Sequence, residues 1–175
     1  PMYAADYYPT DWQLAADADS NGWPQSGRNA ALRAMRKGHA VHIAGDQHLG
    51  SVIQYGIDDF HDGGYAFCVP SIANTWPRRW FPPEPGKNPL PNAPQYTGDF
   101  LDGFGNHMTV YAVSNPSITG FEPAALHDRA PGYGIVRFDK AGKTVTFECW
   151  PRSSDPAKPG ANQYPGWPVT VKPYE

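Results

Sequence analysis

The chain has 175 residues, of which 40% are hydrophobic and 18% charged, and its formal net charge is −3. This balance is typical of a globular protein and excludes a disordered chain. No run of 18 apolar residues occurs, so no membrane span is expected, and the acidic balance argues against nucleic acid as a stable partner. The 20 prolines and the aromatic content of 14% predict long irregular loops packed by aromatic side chains.

A helix followed by a strand is predicted in the first third of the chain. Residues 27–37 place Leu32 and Met35 on one helical face, with Ser26 as the N-cap and Gly38 as the C′ residue. The short apolar run at residues 39–44 predicts a buried strand, which ends at a polar cluster. This helix–strand order predicts an α/β fold in one domain spanning residues 1–175.

The rest of the chain divides into further strands and long loops. Residues 133–138 and 144–150 give a good hairpin signal. The two runs are joined by a five-residue turn in which Gly142 can take a positive φ. Residues 49–57 are strand or helix, residues 74–106 are predicted as a long loop, and residues 151–175 as a Pro-rich tail. Strands are predicted at residues 65–69, 107–114, 133–138 and 144–150.

The tetrapeptide Gly45-Asp46-Gln47-His48 follows the predicted strand directly. In open α/β sheets, ligands bind beyond the carboxyl ends of strands. Asp46 and His48 are two residues apart, so a tight turn permitted by Gly45 can direct both side chains toward one point. An oxygen donor beside a nitrogen donor suits a divalent transition metal. The alternative for an Asp-x-His pair is a solvated carboxylate beside an unrelated histidine.

Four segments occur in an order that resembles a known family: residues 19–24 with Arg28, Gly45-Asp46-Gln47-His48-Leu49-Gly50, residues 65–74, and residues 132–138 with 144–150. Together they resemble the C-terminal part of the PhoD-type (alkaline phosphatase D) metallophosphatases of the calcineurin-like metallophosphoesterase superfamily. The resemblance covers residues 6–80 and 126–151. The broader superfamily has Gly-His-x-His at this motif, and Asp46 stands where its first histidine would be.

The resemblance implies a metallophosphoesterase-type fold, with two facing sheets flanked by helices and long Pro/aromatic-rich loops. It implies two metal ions (Fe, Ca, Mn or Zn), with Asp46 and His48 as ligands, and a phosphomonoester or phosphodiester small-molecule substrate. The family's earlier ligand motifs do not occur before residue 45, so the chain is expected to be the C-terminal half of the catalytic domain. It would then need the N-terminal half of the same enzyme as its partner and would be inactive alone. Relatives of this type also suggest export.

Asn74 and Arg78 are candidate donors to the phosphoryl oxygens of the substrate, together with Arg79, because they follow a predicted strand end. The alternative for the two arginines is stacking on Trp76 and Trp80 at the surface.

Three further hypotheses remain open from the sequence. His61 and the aspartates at positions 58, 59 and 62 form either a hard-cation site or a solvated acidic turn. The chain could instead be a structural subdomain that completes a partner's sheet, with an open apolar face. It could also be a non-catalytic carbohydrate- or surface-binding module that stacks ligands on exposed tryptophans. The candidates for that role are Trp76, Trp80, Trp150 and Trp167.

Overall fold

The computed structural model describes residues 1–7, 13–73, 78–116 and 126–173. These residues form a mixed α/β arrangement with two sheets and one α-helix, and two short 3₁₀ helices at Ala18–Ser20 and Leu126–Arg129. No helix within these ranges has the length and apolar character that crossing a membrane requires. The regular elements are α1 (Gln25–Lys37), β1 (His42–Ala44), β2 (Ser51–Tyr55), β3 (Tyr65–Cys68), β4 (Gly98–Leu101), β5 (His107–Val113), β6 (Gly132–Asp139), β7 (Thr144–Pro151) and β8 (Val169–Val171).

Helix α1 forms where it was predicted, but its ends differ. Pro24, and not Ser26, occupies the N-cap position and makes no side-chain cap. At the other end Gly38 is the C-cap, and His39 takes the left-handed conformation (φ 48°) that was predicted for Gly38. The amides of His39 and Ala40 donate to the carbonyls of Arg36 and Met35, a Schellman motif that satisfies the last turn.

The larger sheet has the strand order β1-β3-β2-β5-β4. Strands β1 and β3 run parallel, and the other neighbours are antiparallel. The prediction that residues 39–44 form a buried strand is wrong in part, because β1 covers three residues at the sheet edge and Ile43 is 51% exposed. Residues 49–57, which the sequence predicts as either strand or helix, contain the central strand β2.

The smaller sheet has the order β6-β7-β8 and contains the predicted hairpin. The left-handed residue of its turn is Lys143 (φ 52°), and not Gly142. Strand β8 comes from the Pro-rich tail and pairs with β7, with Phe147 opposite Val169. The tail therefore contributes to the sheet as well as covering the surface.

Two apolar clusters pack the larger sheet on both faces. On one face Ile53 and Tyr55 of β2 contact Leu32 of α1 and Tyr3 of the N-terminal segment. On the other face the cluster joins the two sheets, and its main members are Val52, Phe67, Ala112, Val145, Phe147 and Trp167. Cys68 and Cys149 are buried free thiols in this interior.

Candidate metal site

The turn Gly45-Asp46-Gln47-His48 lies at the carboxyl end of β1. Since β1 is parallel to β3, with Ala44 opposite Cys68, the carboxyl ends of both strands meet at one edge of the sheet. The amide of Val69 donates to the carbonyl of Ala44 over 2.8 Å and extends the pairing to the start of the turn. The structure thus places Asp46 and His48 at the edge where the sequence predicted a ligand site.

The backbone of the turn is left-handed at both predicted ligands. Asp46 has φ 74° and His48 has φ 58°. Asp and His enter this region more readily than most residues, but it still costs on the order of 1–3 kcal/mol each and persists only where surrounding contacts impose it. Gly45, which was expected to permit the turn, has no positive φ, and a Cβ there would meet only Val69 Cγ2 at 3.9 Å. The expectation for Gly45 is therefore wrong.

Gln47 supplies the contacts that impose this conformation. Its side chain is buried, and Nε2 donates to the main-chain carbonyl of Tyr3 over 3.0 Å. Its own amide donates to the carbonyl of Gly45 over 3.0 Å, which closes the turn. The sequence alone does not identify Gln47 as this anchor, because a glutamine between two polar residues is typical of a solvated loop.

The two predicted ligands differ in their surroundings. The side chain of Asp46 is exposed, whereas that of His48 is half-buried. The Nδ1 atom of His48 is buried and has no hydrogen-bond partner among the described residues. Leaving such an atom unsatisfied costs about 1–3 kcal/mol, and a bound cation or ligand group would remove that cost. The ring of His48 therefore has one buried nitrogen that the described residues leave unsatisfied.

The charges of Asp46 and Arg78 both act on the thiol of Cys68, at the carboxyl end of β3. Burial raises the pKa of that thiol to about 11, the amide of Gln47 lowers it by hydrogen bonding, Asp46 raises it and Arg78 lowers it. Both charges are therefore near enough to the carboxyl end of β3 to influence this thiol.

Arg78 is held in ion pairs at this edge. Its Nη1 lies 3.5 Å from an oxygen of Asp6 and also contacts the carboxylate of Asp17, and the three side chains are less than a fifth exposed. Burial raises the pKa of Asp6, although hydrogen bonds from the backbone and the charges of the arginines oppose the shift. Asn74 lies outside the described residues. The predicted phosphate contact of Arg78 would have to compete with these carboxylates.

The alternative that the arginines stack on tryptophans at the surface does not hold for Arg79 and Trp80, which the structure describes. Arg79 is 1% exposed and Trp80 is fully buried. The indole of Trp80 packs against Tyr7 with ring centroids 5.2 Å apart and against Phe100 at 5.1 Å. Trp76 lies outside the described residues.

The other described histidines are held by packing or by polar contacts. Nδ1 of His42 lies 2.8 Å from the hydroxyl of Tyr55, and burial lowers the pKa of His42. The ring of His107 packs on Phe60 at 4.5 Å. Within the described ranges no group of three or more His, Cys, Asp or Glu side chains is arranged to hold a metal ion.

The acidic turn around His61 is largely exposed, as the solvated-turn interpretation expects, and its side chains also have protein partners. His61 Nε2 lies 3.1 Å from a carboxylate oxygen of Asp99. Asp99 belongs to β4, a strand within the residues 74–106 that were predicted as a loop. The carboxylate of Asp62 accepts from the amides of Ile57 and Asp58, and Asp58 pairs with Arg33. These carboxylates therefore have protein partners.

No protein-family model, no curated protein and no solved structure matches this chain.

Proposed function

We propose that the chain supplies the last metal-binding turn of a metal-dependent phosphoester hydrolase of the PhoD type, with Asp46 and His48 as ligands. The observation that carries the proposal is the turn itself. Two left-handed residues with oxygen and nitrogen donors flank a buried anchor at the carboxyl end of a parallel strand, and His48 has a buried ring nitrogen without a partner among the described residues. Strained backbone of this kind clusters at functional sites.

The donor atoms of Asp46 and His48 are of the types that bind metal ions, but they supply only part of a metal's coordination shell. A carboxylate oxygen and an imidazole nitrogen suit Mn, Fe or Zn, and the carboxylate also suits Ca. The PhoD resemblance assigns the remaining ligands of the two metal ions to the N-terminal half of the same enzyme. When bound, such metals polarise the phosphoester and lower the pKa of water so that it can serve as the nucleophile.

The residues of this chain would then have distinct roles. Asp46 and His48 hold the metal, and Gln47 fixes their backbone through Tyr3. Arg78 remains a candidate for contact with a phosphoryl oxygen, provided that the substrate displaces Asp6 or Asp17 from its guanidinium. Asn74 remains a prediction on the same loop. The two facing sheets are compatible with a metallophosphoesterase-type fold, which stays part of the proposal.

The test is hydrolysis of p-nitrophenyl phosphate and bis-p-nitrophenyl phosphate by the enzyme that contains both halves. His48→Ala and Asp46→Asn should each lower turnover at least about 100-fold, the scale expected when a ligand or its orientation is lost. Asp155→Asn is the matched control, because Asp155 is an exposed carboxylate outside the segments that carry the resemblance. The 175-residue chain alone should be inactive. Unchanged turnover in the His48 and Asp46 variants, or activity of the isolated chain, would refute the proposal.

The binding-module alternative loses most of its candidate residues. Trp80, Trp150 and Trp167 are each at most 9% exposed, so they do not form an accessible stacking surface. Among the described tryptophans, Trp23 is the exposed one, at 61%, and it stacks on Phe104 with ring centroids 6.4 Å apart. Within the described residues, this pair is the exposed aromatic surface that a polymer could contact.

A further inference from the structure

A second polar pocket lies at the opposite edge of the larger sheet from the proposed metal turn. It has a volume of about 180 Å³ and is bordered by Ala40, Gly64 and Tyr65. These residues precede or begin β1 and β3, whose carboxyl ends carry the turn with Asp46 and His48. The remaining walls come from the end of α1, the β2–β3 connection and the residues after β8. The pocket is therefore separate from the proposed metal site.

The walls of this pocket concentrate basic side chains in a chain whose net charge is −3. They are Arg36, His39, His61 and Lys172, which come from three separate parts of the sequence. Asp62 is an acid in the same lining, and its carboxylate accepts hydrogen bonds from the amides of Ile57 (2.6 Å), Asp58 (3.0 Å) and Asp59 (3.4 Å). These bonds direct the negative charge into the turn of the β2–β3 connection.

His61 is held in one orientation by a buried carboxylate. It takes a left-handed backbone (φ 66°), and Nε2 lies 3.1 Å from Asp99, which is 4% exposed and also accepts from Thr109 Oγ1. Its Nδ1 lies 3.3 Å from Oε1 of Gln54. The amide of Gln54 donates from Nε2 to the carbonyls of His61 and Gly63, so Oε1 is the acceptor. Both ring nitrogens thus have protein partners, so the ring of His61 forms part of the pocket wall and keeps no N–H donor for an anion.

The carboxyl end of α1 repels an anion in this pocket less than a helix end with unsatisfied carbonyls would. Helix carboxyl ends carry a partial negative charge from unsatisfied carbonyls. The amides of Gly38, His39 and Ala40 already donate to the carbonyls of Met35 and Arg36. Arg36 donates from Nη1 to the carbonyl of Asp62 over 2.8 Å, and a guanidinium has five N–H donors, more than this bond uses.

From this arrangement we infer that the pocket binds a small tetrahedral oxyanion of the phosphate and sulfate class, with Arg36 and Lys172 as its main contacts. The volume of about 180 Å³ equals that of roughly six liquid water molecules, so one such anion fits together with bridging water. Arginine and lysine are the usual partners of such oxygens, the former through its planar fork. This site is independent of the proposed phosphoesterase function.

The experiment is an amide-resolved NMR titration of the 175-residue chain with inorganic phosphate and with sulfate, at constant ionic strength set by sodium chloride. EDTA is present throughout, so that binding through a metal at Asp46 and His48 does not contribute. Saturable shifts are expected at the amides of Ala40, Gly63, Gly64 and Lys172. Arg36→Gln and Lys172→Gln should each weaken binding at least fivefold, since each removes one charge–charge contact.

Lys158→Gln is the matched control, because it removes an exposed lysine of the β7–β8 connection that does not line this pocket. The affinity of this control variant for phosphate and sulfate should equal that of the unmodified chain. The inference is overturned if these amides do not shift, if chloride alone gives the same shifts, or if Arg36→Gln and Lys172→Gln bind as tightly as the control. Spectra of the variants without added anion show directly whether each remains folded.

Discussion

The side-chain amide of Gln47 donates to the main-chain carbonyl of Tyr3 over 3.0 Å, joining the proposed metal turn to the N-terminal segment. Tyr3 is itself fully buried, and its hydroxyl lies 2.6 Å from Ser51 Oγ at the start of β2. The turn is thus fixed to the interior through its middle residue. Asp46 and His48, on either side, are held in a conformation that they would not adopt readily alone.

Gln47→Ala should destabilise the protein by about 1–3 kcal/mol, because it leaves the buried carbonyl of Tyr3 without its donor. Urea denaturation monitored by circular dichroism measures the change in the free energy of unfolding. The control is Gln95→Ala, at an exposed position, which should stay within about 0.5 kcal/mol of the unmodified chain. Equal stability of the two variants would show that Gln47 does not anchor the turn.

Gly50→Ala should destabilise the protein more than Gly45→Ala, the other glycine substitution in residues 45–50. A Cβ at Gly50 would lie 2.5 Å from Ser114 Oγ, 3.0 Å from Cys149 Sγ and 3.2 Å from Pro70 Cδ. Overpacking of this kind costs about 1–3 kcal/mol. At Gly45 the nearest atom is 3.9 Å away, so Gly45→Ala should have little effect. Thermal unfolding of both variants checks the order, and a more damaging Gly45→Ala would contradict the packing described.

Trp167→Ala should destabilise the protein by about 3–5 kcal/mol, the usual cost of truncating a buried aromatic side chain. Trp167 is 9% exposed and packs on Phe67 with ring centroids 5.4 Å apart, between the two sheets. Trp23→Ala is the matched control, because Trp23 is 61% exposed and should cost less than about 1 kcal/mol. If both substitutions cost the same in urea denaturation, the C-terminal segment is not part of the core.

Asp62→Asn should reduce stability near neutral pH, with the difference fading in acid. Burial raises the pKa of Asp62, but the amides of Ile57, Asp58 and Asp59 outweigh it and hold the pKa below its ordinary value. A carboxyl with a lowered folded-state pKa stabilises the fold above its unfolded pKa, and that contribution is lost as the pH falls through the folded value. Urea midpoints of both proteins should therefore converge below roughly pH 4. A difference that stays constant or widens on acidification would contradict the assignment.

Local sequence signals predicted the elements whose contacts are local. The β6–β7 hairpin and α1 follow from patterns within about 20 residues, so they could be read directly. Strand β4 was missed because its four residues follow a proline- and glycine-rich stretch, and only pairing with β5 makes it a strand. Strand β8 depends in the same way on β7. Such pairings are tertiary, and intrinsic preference does not reveal them.

The position of the Gly45–His48 turn was predictable from the sequence, but its conformation was not. The order of helix, strand and polar turn placed Asp46 and His48 at the carboxyl end of β1. The left-handed backbone at both residues arises from the contact between Gln47 and Tyr3, which are 44 residues apart. The ion pairs of Arg78 with Asp6 and Asp17 also join distant segments, so no local pattern could indicate them.

Paramagnetic broadening by Mn²⁺ tests the central claim most directly, because it locates a bound cation even when two ligands hold it weakly. Mn²⁺ accepts carboxylate and imidazole donors. Amide resonances of residues 44–50 and 69–73 should broaden most strongly at low Mn²⁺, and this broadening should disappear in the double variant Asp46→Asn, His48→Ala. Strongest broadening at residues 57–62, or broadening at the turn that the double variant leaves unchanged, would contradict a metal site at Asp46 and His48.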